Sequence, residues 1–233
     1  MPLPKWSDIV KLNQNLVELK ETYCPLQYRK IEGPLRILCV TDSSFGNAAR
    51  YSQQGYVTVI CSADDSNICG SFCLLDYRSN KSKRVATSTL HAEALAAING
   101  AESATYLQTY LLELAVPGLS AMSLLTPENN EKLLPLVLAT DCNDLHDVLL
   151  APAQPASSTK HLALYIAALR EYRTTGRIQA YLWIDTRDMI ANSLTKLKDD
   201  GTTEPELLSV LKTFCWNLKH AYKWNATWCS EEN

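Results

Sequence analysis

The 233-residue sequence has no Cys-x-x-Cys pair, no basic excess and no uncharged apolar run of the ~18 residues that a membrane span requires. Each absence removes a class of function. The tightest cysteine spacing, Cys69-x-x-x-Cys73, has no His or Cys cluster downstream, which leaves zinc and dithiol redox centres without a ligand set. Of the eight cysteines, Cys39, Cys61, Cys73 and Cys142 lie in or beside apolar runs and read as buried free thiols. A secreted disulfide scaffold does not suit this length. Nor does it suit an N-terminus, with Pro2, Pro4, Trp6 and Asp8, that lacks a basic flank followed by an apolar stretch. With 22 Lys+Arg against 25 Asp+Glu the net charge is −3, so the broad basic field of the simplest nucleic-acid binders is also missing. These exclusions predict a soluble intracellular protein, and an apolar fraction of 46% suffices for a sizeable core.

What is present is a succession of short patterned segments. Ile9, Leu12, Leu16 and Leu19 recur at three- and four-residue spacing. That predicts an amphipathic helix over Ser7–Leu19, capped by Ser7, before a linker punctuated by Pro25, Gly33 and Pro34. Leu35–Val40, Tyr56–Cys61 and Ile68–Leu75 read as three consecutive antiparallel strands, with Ala63-Asp64-Asp65 in the turn between the second and third. Leu90–Ala115, dense in Ala and Leu with no Pro and one Gly, predicts a long helix begun by Ser88 or Thr89 and stopped near Pro117-Gly118. A fourth strand (Pro135–Thr140), a short helix (Asp144–Leu150), a loop (Ala151–Ser158) and a helix (His161–Arg173) ended by Gly176 follow. A fifth strand (Ile178–Ile184) and a helix (Asp188–Lys198) complete the series. Glu204–His220 reads as a final helix, and Trp216, Trp224 and Trp228 mark a tail without a defined packing partner. The expected fold class is α/β: a five-stranded mixed sheet, three antiparallel strands and then parallel ones, with helices on both faces.

Asp42 follows the first strand, Glu93 lies in the first turns of the long helix, Asp141 follows the fourth strand and Asn192 lies in the helix after the fifth. An acid just past a strand stands at the rim where open α/β sheets place ligands. Singly these residues read as turn, cap or helix-dipole groups. Jointly, two acids from neighbouring strands and a third from the helix across them make a cluster. Carboxylates that close raise one another's pKa unless a cation neutralises them, and hard oxygen ligands favour Mg²⁺ or Mn²⁺. A pair of such ions suits in-line phosphoryl displacement.

The same positions stand in a series of motifs. Thr41-Asp42-Ser43-Ser44-Phe45-Gly46-Asn47, Ser52-Gln53-Gln54-Gly55-Tyr56-Val57 and the basic lead-in Lys81 to Thr89 running into Ala92-Glu93-Ala94 come first. Thr140-Asp141-Cys142-Asn143, Ser158-Thr159-Lys160-His161 and the run from Asp188 to Lys196 follow in order. In this series the sequence resembles the ribonuclease H domain of copia-type LTR retrotransposon Pol polyproteins, from about Leu35 to Lys198. The N-terminal helix resembles the end of the connection segment that precedes this domain in those polyproteins. The predicted organisation is therefore residues 1–34 (helix and linker), 35–200 (ribonuclease H-like domain) and 201–233 (C-terminal helix and tail). No Tyr-x-Asp-Asp setting of a polymerase occurs.

The resemblance implies hydrolysis of the RNA strand of an RNA/DNA hybrid through two Mg²⁺ (or Mn²⁺) ions. It makes Asp42, Glu93 and Asp141 the metal ligands, with Asn192 in the remaining catalytic position. It implies substrate contacts from Ser43, Ser44, Asn47, Lys83, Arg84 and Lys160, with Arg187 as a further phosphate contact. Recognition of minor-groove shape and 2′-hydroxyls needs small polar groups more than a basic field, which reconciles the acidic charge balance with a nucleic-acid substrate. The implied partners are the hybrid and a reverse transcriptase polymerase domain in a parent polyprotein. The implied locations are the cytoplasm, a virus-like particle or the nucleus, without secretion or membrane attachment.

One position departs from the family pattern: the fourth acid, an Asp, is Asn192 here. An amide oxygen can ligate but brings no charge, so weaker metal affinity is expected. Asp188, four residues earlier and so on the same helix face, is a substitute; its alternative role is a first-turn residue after Thr186 as N-cap. Two readings stay open, an active metal-dependent ribonuclease H and a catalytically impaired or co-opted nucleic-acid-binding module. An integrase or transposase fits worse, because there the Glu comes last and here it lies between the Asp residues. No His lies between His161 and His220, so a histidine ahead of the last helix is not available. His161 reads as a helix-start residue, and His91 and His146 as surface or core residues.

Overall fold

The computed structural model describes residues 5–21, 23–48, 51–62, 70–119, 133–152, 160–196 and 206–224. Helix α1 (Trp6–Glu21) precedes three strands, β1 (Leu35–Ala48), β2 (Tyr51–Ser62) and β3 (Phe72–Lys81). Helix α2 (Thr89–Ala115), β4 (Leu136–Thr140), α3 (Asn143–Leu150), α4 (Lys160–Thr174) and β5 (Ala180–Ile184) follow. A 3₁₀ turn (Thr186–Asp188) leads to α5 (Asn192–Thr195), α6 (Glu206–Thr213) and β6 (Tyr222–Trp224). The strands form one sheet in the order β3-β2-β1-β4-β5-β6. β3, β2 and β1 pair antiparallel, β1, β4 and β5 pair parallel, and β6 returns antiparallel on β5.

The central strands are apolar on both faces, and both faces are covered. One face of β1 and β4, with Ile37, Cys39, Leu136 and Leu138, packs on α2, α3 and α4 through Ala94, Ala97, Leu145 and Ile166. The other, with Leu38, Val40, Val137 and Ala139, packs on Met189, Ile190, Leu207, Val210 and Trp216. A strand buried on both sides reads as a continuous apolar run, which is why β1 and β4 lack alternation. Helix α2 starts where Ser88 caps it, its hydroxyl accepting from the His91 N–H at 3.1 Å, and Gly118 (φ 83°) turns the chain after it. No residue of α1 is buried.

The mixed sheet with helices on both faces matches the expected class and differs from the expectation in detail. A sixth strand, only three residues long, lies in the tail that carries Trp224. The first two strands run further than their apolar cores, so Asp42 sits inside β1, opposite Gly55, rather than past its end. The single helix expected over Asp188–Lys198 is a 3₁₀ turn, a bend and the four-residue α5, and its last residues lie outside the described ones. Met189, Ile190 and Ala191 pack into the core at 1% exposure or less, ahead of the short helix that begins at Asn192. The final helix is Glu206–Thr213 within the described residues; Phe214 takes a left-handed φ of 57°, and the Trp216 N–H donates to the Gly70 carbonyl at 3.0 Å. At the other end α1 begins at Trp6, and Asp8, not Ser7, accepts from the free backbone, from Lys5 N at 2.7 Å. Ile68, the Ala63-Asp64-Asp65 turn and Trp228 lie outside the described residues.

Candidate active site

Parallel pairing of β1 with β4 ends at Thr41 opposite Thr140, so Asp42 and Asp141 leave adjacent strands side by side. The Thr41 hydroxyl donates to the Ala139 carbonyl (3.3 Å) and Cys142 N donates to Thr140 Oγ1 (3.1 Å), fixing this register at the sheet rim. Glu93 comes from the first turns of α2, which lies unusually close to β1. A Cβ at Gly100 would stand 2.6 Å from Thr41 Cγ2 and 3.0 Å from Cys39 Sγ, so only glycine allows that approach. The result is a cluster in which one carboxylate oxygen each of Asp42, Glu93 and Asp141 lies within 4.8 Å of the others.

Each carboxylate is held by a donor. Ser43 N donates to Glu93 Oε1 (3.3 Å), the Thr195 hydroxyl to Asp42 Oδ2, and the Thr186 hydroxyl to Asp141 Oδ2 (2.8 Å). Lys196 Nζ stands 3.5 Å from Asp42 Oδ1. Thr195 and Lys196 reach Asp42 because α5 presses on β2 at Gly55, where a Cβ would lie 2.8 Å from Leu194 Cβ and 2.9 Å from Thr195 Cγ2. Burial, then the neighbouring Asp42 and Asp141 carboxylates, push the Glu93 pKa up to about 8. Burial also raises Asp42, against the opposing pull of the Thr195 hydroxyl and the Lys196 ammonium.

Glu93 is 4% exposed and its Oε2 accepts no hydrogen bond. A buried carboxylate oxygen without a donor, beside two further acids, has what a cation would satisfy. The donor set is all hard oxygen, which fits Mg²⁺ or Mn²⁺. Cys142 also lines the cleft of about 350 Å³, where burial pushes its thiol up to about 12.

The remaining residues singled out by sequence divide. Ser43 and Ser44 are buried in the same cleft. The Asn47 side chain lies outside the described ones. Lys83 and Arg84 line a separate cavity of about 710 Å³ between β2, β3, α2 and α4, where Arg84 Nη1 donates to the Tyr165 hydroxyl. Lys160 is exposed at the start of α4. The Arg187 guanidinium is taken by Asp185, through Nε at 2.8 Å and Nη2 at 2.9 Å, and Asp185, not Thr186, caps the 3₁₀ turn. Asn192 donates to the Thr186 carbonyl at 2.7 Å and accepts from Lys196 Nζ. Asp188 is outside the cluster: it is 2% exposed and accepts from Lys219 N (3.0 Å), His220 N (2.8 Å) and His220 Nδ1 (2.9 Å). His91 and His146 are both buried. Sequence reasoning gave Thr186 only the role of an N-cap and assigned none to Thr195 or Lys196, although the last two lie in the motif ending at Lys196.

No protein-family model and no curated protein matches the chain. Solved structures similar to it include the ribonuclease H1 of the halophilic archaeon Halobacterium salinarum. It aligns at 14% identity and a TM-score of 0.42, over 68% of this chain and 93% of that one. LC11-RNase H1 in complex with an RNA/DNA hybrid aligns with the same identity, score and coverage. The prototype foamy virus protease-reverse transcriptase aligns at 12% identity and a TM-score of 0.32, over 82% of this chain and 22% of that one.

Proposed function

We propose that the chain is a divalent-metal-dependent ribonuclease H of retroelement origin, of the copia Pol type, acting on the RNA strand of RNA/DNA hybrids. The observation that carries this reading is the convergence of Asp42, Glu93 and Asp141 from two parallel strands and a crossing helix, one oxygen of each within 4.8 Å of the others. The unit proposed to carry the activity is residues 35–200, with 1–34 as a linker helix from a reverse transcriptase connection and 201–233 as a tail.

The three carboxylates would hold Mg²⁺ or Mn²⁺, which supplies activation of the attacking water and neutralisation of the leaving oxygen, in the resemblance through two ions. The chain's own groups prepare that site. Ser43 N orients Glu93 while leaving Oε2 free, Thr195 and Thr186 orient Asp42 and Asp141, and closure of α2 on β1 keeps Glu93 from bulk water. Ser43, Ser44 and Asn47 are proposed to read 2′-hydroxyls of the RNA strand, and Lys83, Arg84 and Lys160 to meet phosphates. A second reading, a catalytically impaired or co-opted hybrid-binding module, draws on Asn192, which carries no charge and whose amide is already bonded to Thr186 and Lys196.

Cleavage of a labelled RNA strand in a hybrid with Mg²⁺ or Mn²⁺, run beside Asp42→Asn, separates the two. The enzyme reading expects metal-dependent cleavage lost by at least about a thousandfold in the variant, the scale set by removing an essential group. Cleavage that survives Asp42→Asn overturns it, and binding of hybrid without cleavage under either metal supports the second reading.

A further inference from the structure

The acidic cluster carries a cation of its own. Lys196 places Nζ 3.5 Å from Asp42 Oδ1 and also donates to Asn192 Oδ1. It is held there on two sides. Gly55 lets α5 lie against β2, and Asn192 is itself anchored by its Nδ2, which donates to the Thr186 carbonyl at 2.7 Å. An aspartate at position 192 could not make that donation, having no N–H, and would set a carboxylate against a carbonyl. The asparagine that breaks the family pattern therefore has a positive role: its amide nitrogen ties the perch and its amide oxygen receives the lysine.

The charge balance points the same way. Once a bound cation has displaced the Glu93 proton, three carboxylates and one ammonium leave two negative charges, which a single divalent cation neutralises. A further divalent cation on Asp42 would stand against the ammonium already there, on a carboxylate that is itself 1% exposed.

We propose that Lys196 is the built-in counter-cation of this site: the free protein binds one divalent ion, and the ammonium competes with a second for Asp42. This rests on the metal-binding reading of the cluster given above. Asn192 is then the positioning residue for Lys196 rather than a ligand, and a second ion enters only when the lysine is drawn away.

The test is the number of Mn²⁺ ions bound by the full chain at neutral pH, measured by calorimetric titration and by electron paramagnetic resonance. It is run for the wild type, Lys196→Gln and Lys196→Arg, with melting temperatures recorded with and without the ion. The wild type and Lys196→Arg are expected to bind one ion. Lys196→Gln is expected to bind a second at least tenfold more tightly than the wild type does, to melt lower without metal, and to gain more from it. The Lys196 side chain is 41% exposed, so the substitution spares the core. Two ions bound with equal strength by wild type and Lys196→Gln, or one ion bound identically by both, overturns the role of Lys196 and leaves the nuclease reading standing. No ion bound by any of the three overturns the metal-binding reading itself, and this inference with it.

Discussion

The cleft that gathers the three carboxylates has two walls built on different principles. The wall of β1, β4 and α2 delivers Asp42, Asp141 and Glu93 from long elements, packed through Ala94, Ala97, Ala101, Ala104 and Gly100 on one side of the sheet. The other wall, from Thr186 to Lys196, is a turn, a bend and one turn of helix: Met189, Ile190 and Ala191 bury it in the core on the opposite face, and the groups it turns to the cleft make single polar contacts. Its anchor is Asp188, whose carboxylate collects three donors from the tail while its carbonyl accepts from Trp216 Nε1 at 3.2 Å. The first wall supplies the carboxylates and the second supplies what orients them, Thr186, Thr195 and Lys196. Burial of apolar surface fixes the position of a whole element to within its packing, whereas a few hydrogen bonds set the orientation of individual carboxylates.

If the second wall depends on the tail, Trp216 is where to break it. Its side chain is 2% exposed and its backbone N–H is bonded to Gly70. Trp216→Ala should cost about 3–5 kcal/mol through the lost burial and the cavity left behind. At ~2–4 °C per kcal/mol for a chain of this size, the melting temperature should fall by roughly ten degrees. An unchanged melting curve would mean that the tail decorates the domain and does not hold the Thr186–Lys196 segment.

The second prediction concerns the first wall and follows from Glu93. Its folded-state pKa of about 8 lies above the ordinary 4.5, so the folded protein holds this proton more tightly than the unfolded chain. The stability that this contributes is complete below the ordinary value and is lost as pH rises towards about 8. A bound cation must displace the same proton, so Mn²⁺ affinity should rise about tenfold per pH unit from about pH 6 and level off near 8, roughly 2.7 kcal/mol in all. Titrations at several pH values across that window check it. A flat affinity would show that Glu93 is already ionised or takes no part in binding.

Gly100→Ala probes how closely α2 must lie on β1. Alanine gains about 1 kcal/mol of helix propensity over glycine. The added Cβ would nevertheless meet Thr41 Cγ2 at 2.6 Å, on a β-branched side chain with little rotamer freedom, so a net loss of about 1–2 kcal/mol is expected. Metal affinity should fall with it, because the helix that carries Glu93 is what moves. Higher stability in thermal melts would show that the helix can retreat without strain.

The two walls also differ in how far the sequence displays them. The first was legible because its signals repeat: apolar runs for β1 and β4, an Ala- and Leu-rich stretch without Pro for α2, and an acid at a fixed place in each. The second was misread as one helix because the run from Asp188 to Lys198 holds no Pro or Gly to mark a break, whereas the chain there divides into a 3₁₀ turn and the four-residue α5. Asp188 bonds residues 31 and 32 positions away, and contacts of that kind have no period to detect. The three-residue β6 is too short to announce itself, and Thr186 and Lys196 gain their meaning only when Asp141 and Asp42 are beside them.

The smallest effect is expected where the second wall touches Asp141. Thr186→Val keeps the β-branched shape and removes the one hydroxyl that donates to Asp141 Oδ2. This contact is exposed, so water can replace the lost donor, and the change should cost about 0.5–1 kcal/mol, a two- to fivefold loss in Mn²⁺ affinity. Thr195→Val makes the same deletion against Asp42, which is 1% exposed and so less open to solvent than Asp141. Its loss should be severalfold larger, because a buried carboxylate then keeps its desolvation and forfeits its donor. The ratio of the two effects, read from parallel titrations, measures how deeply each carboxylate is committed to the second wall. Equal losses would mean that burial does not distinguish Asp42 from Asp141, and that the short helix at Asn192–Thr195 holds its carboxylate no more firmly than the exposed turn does.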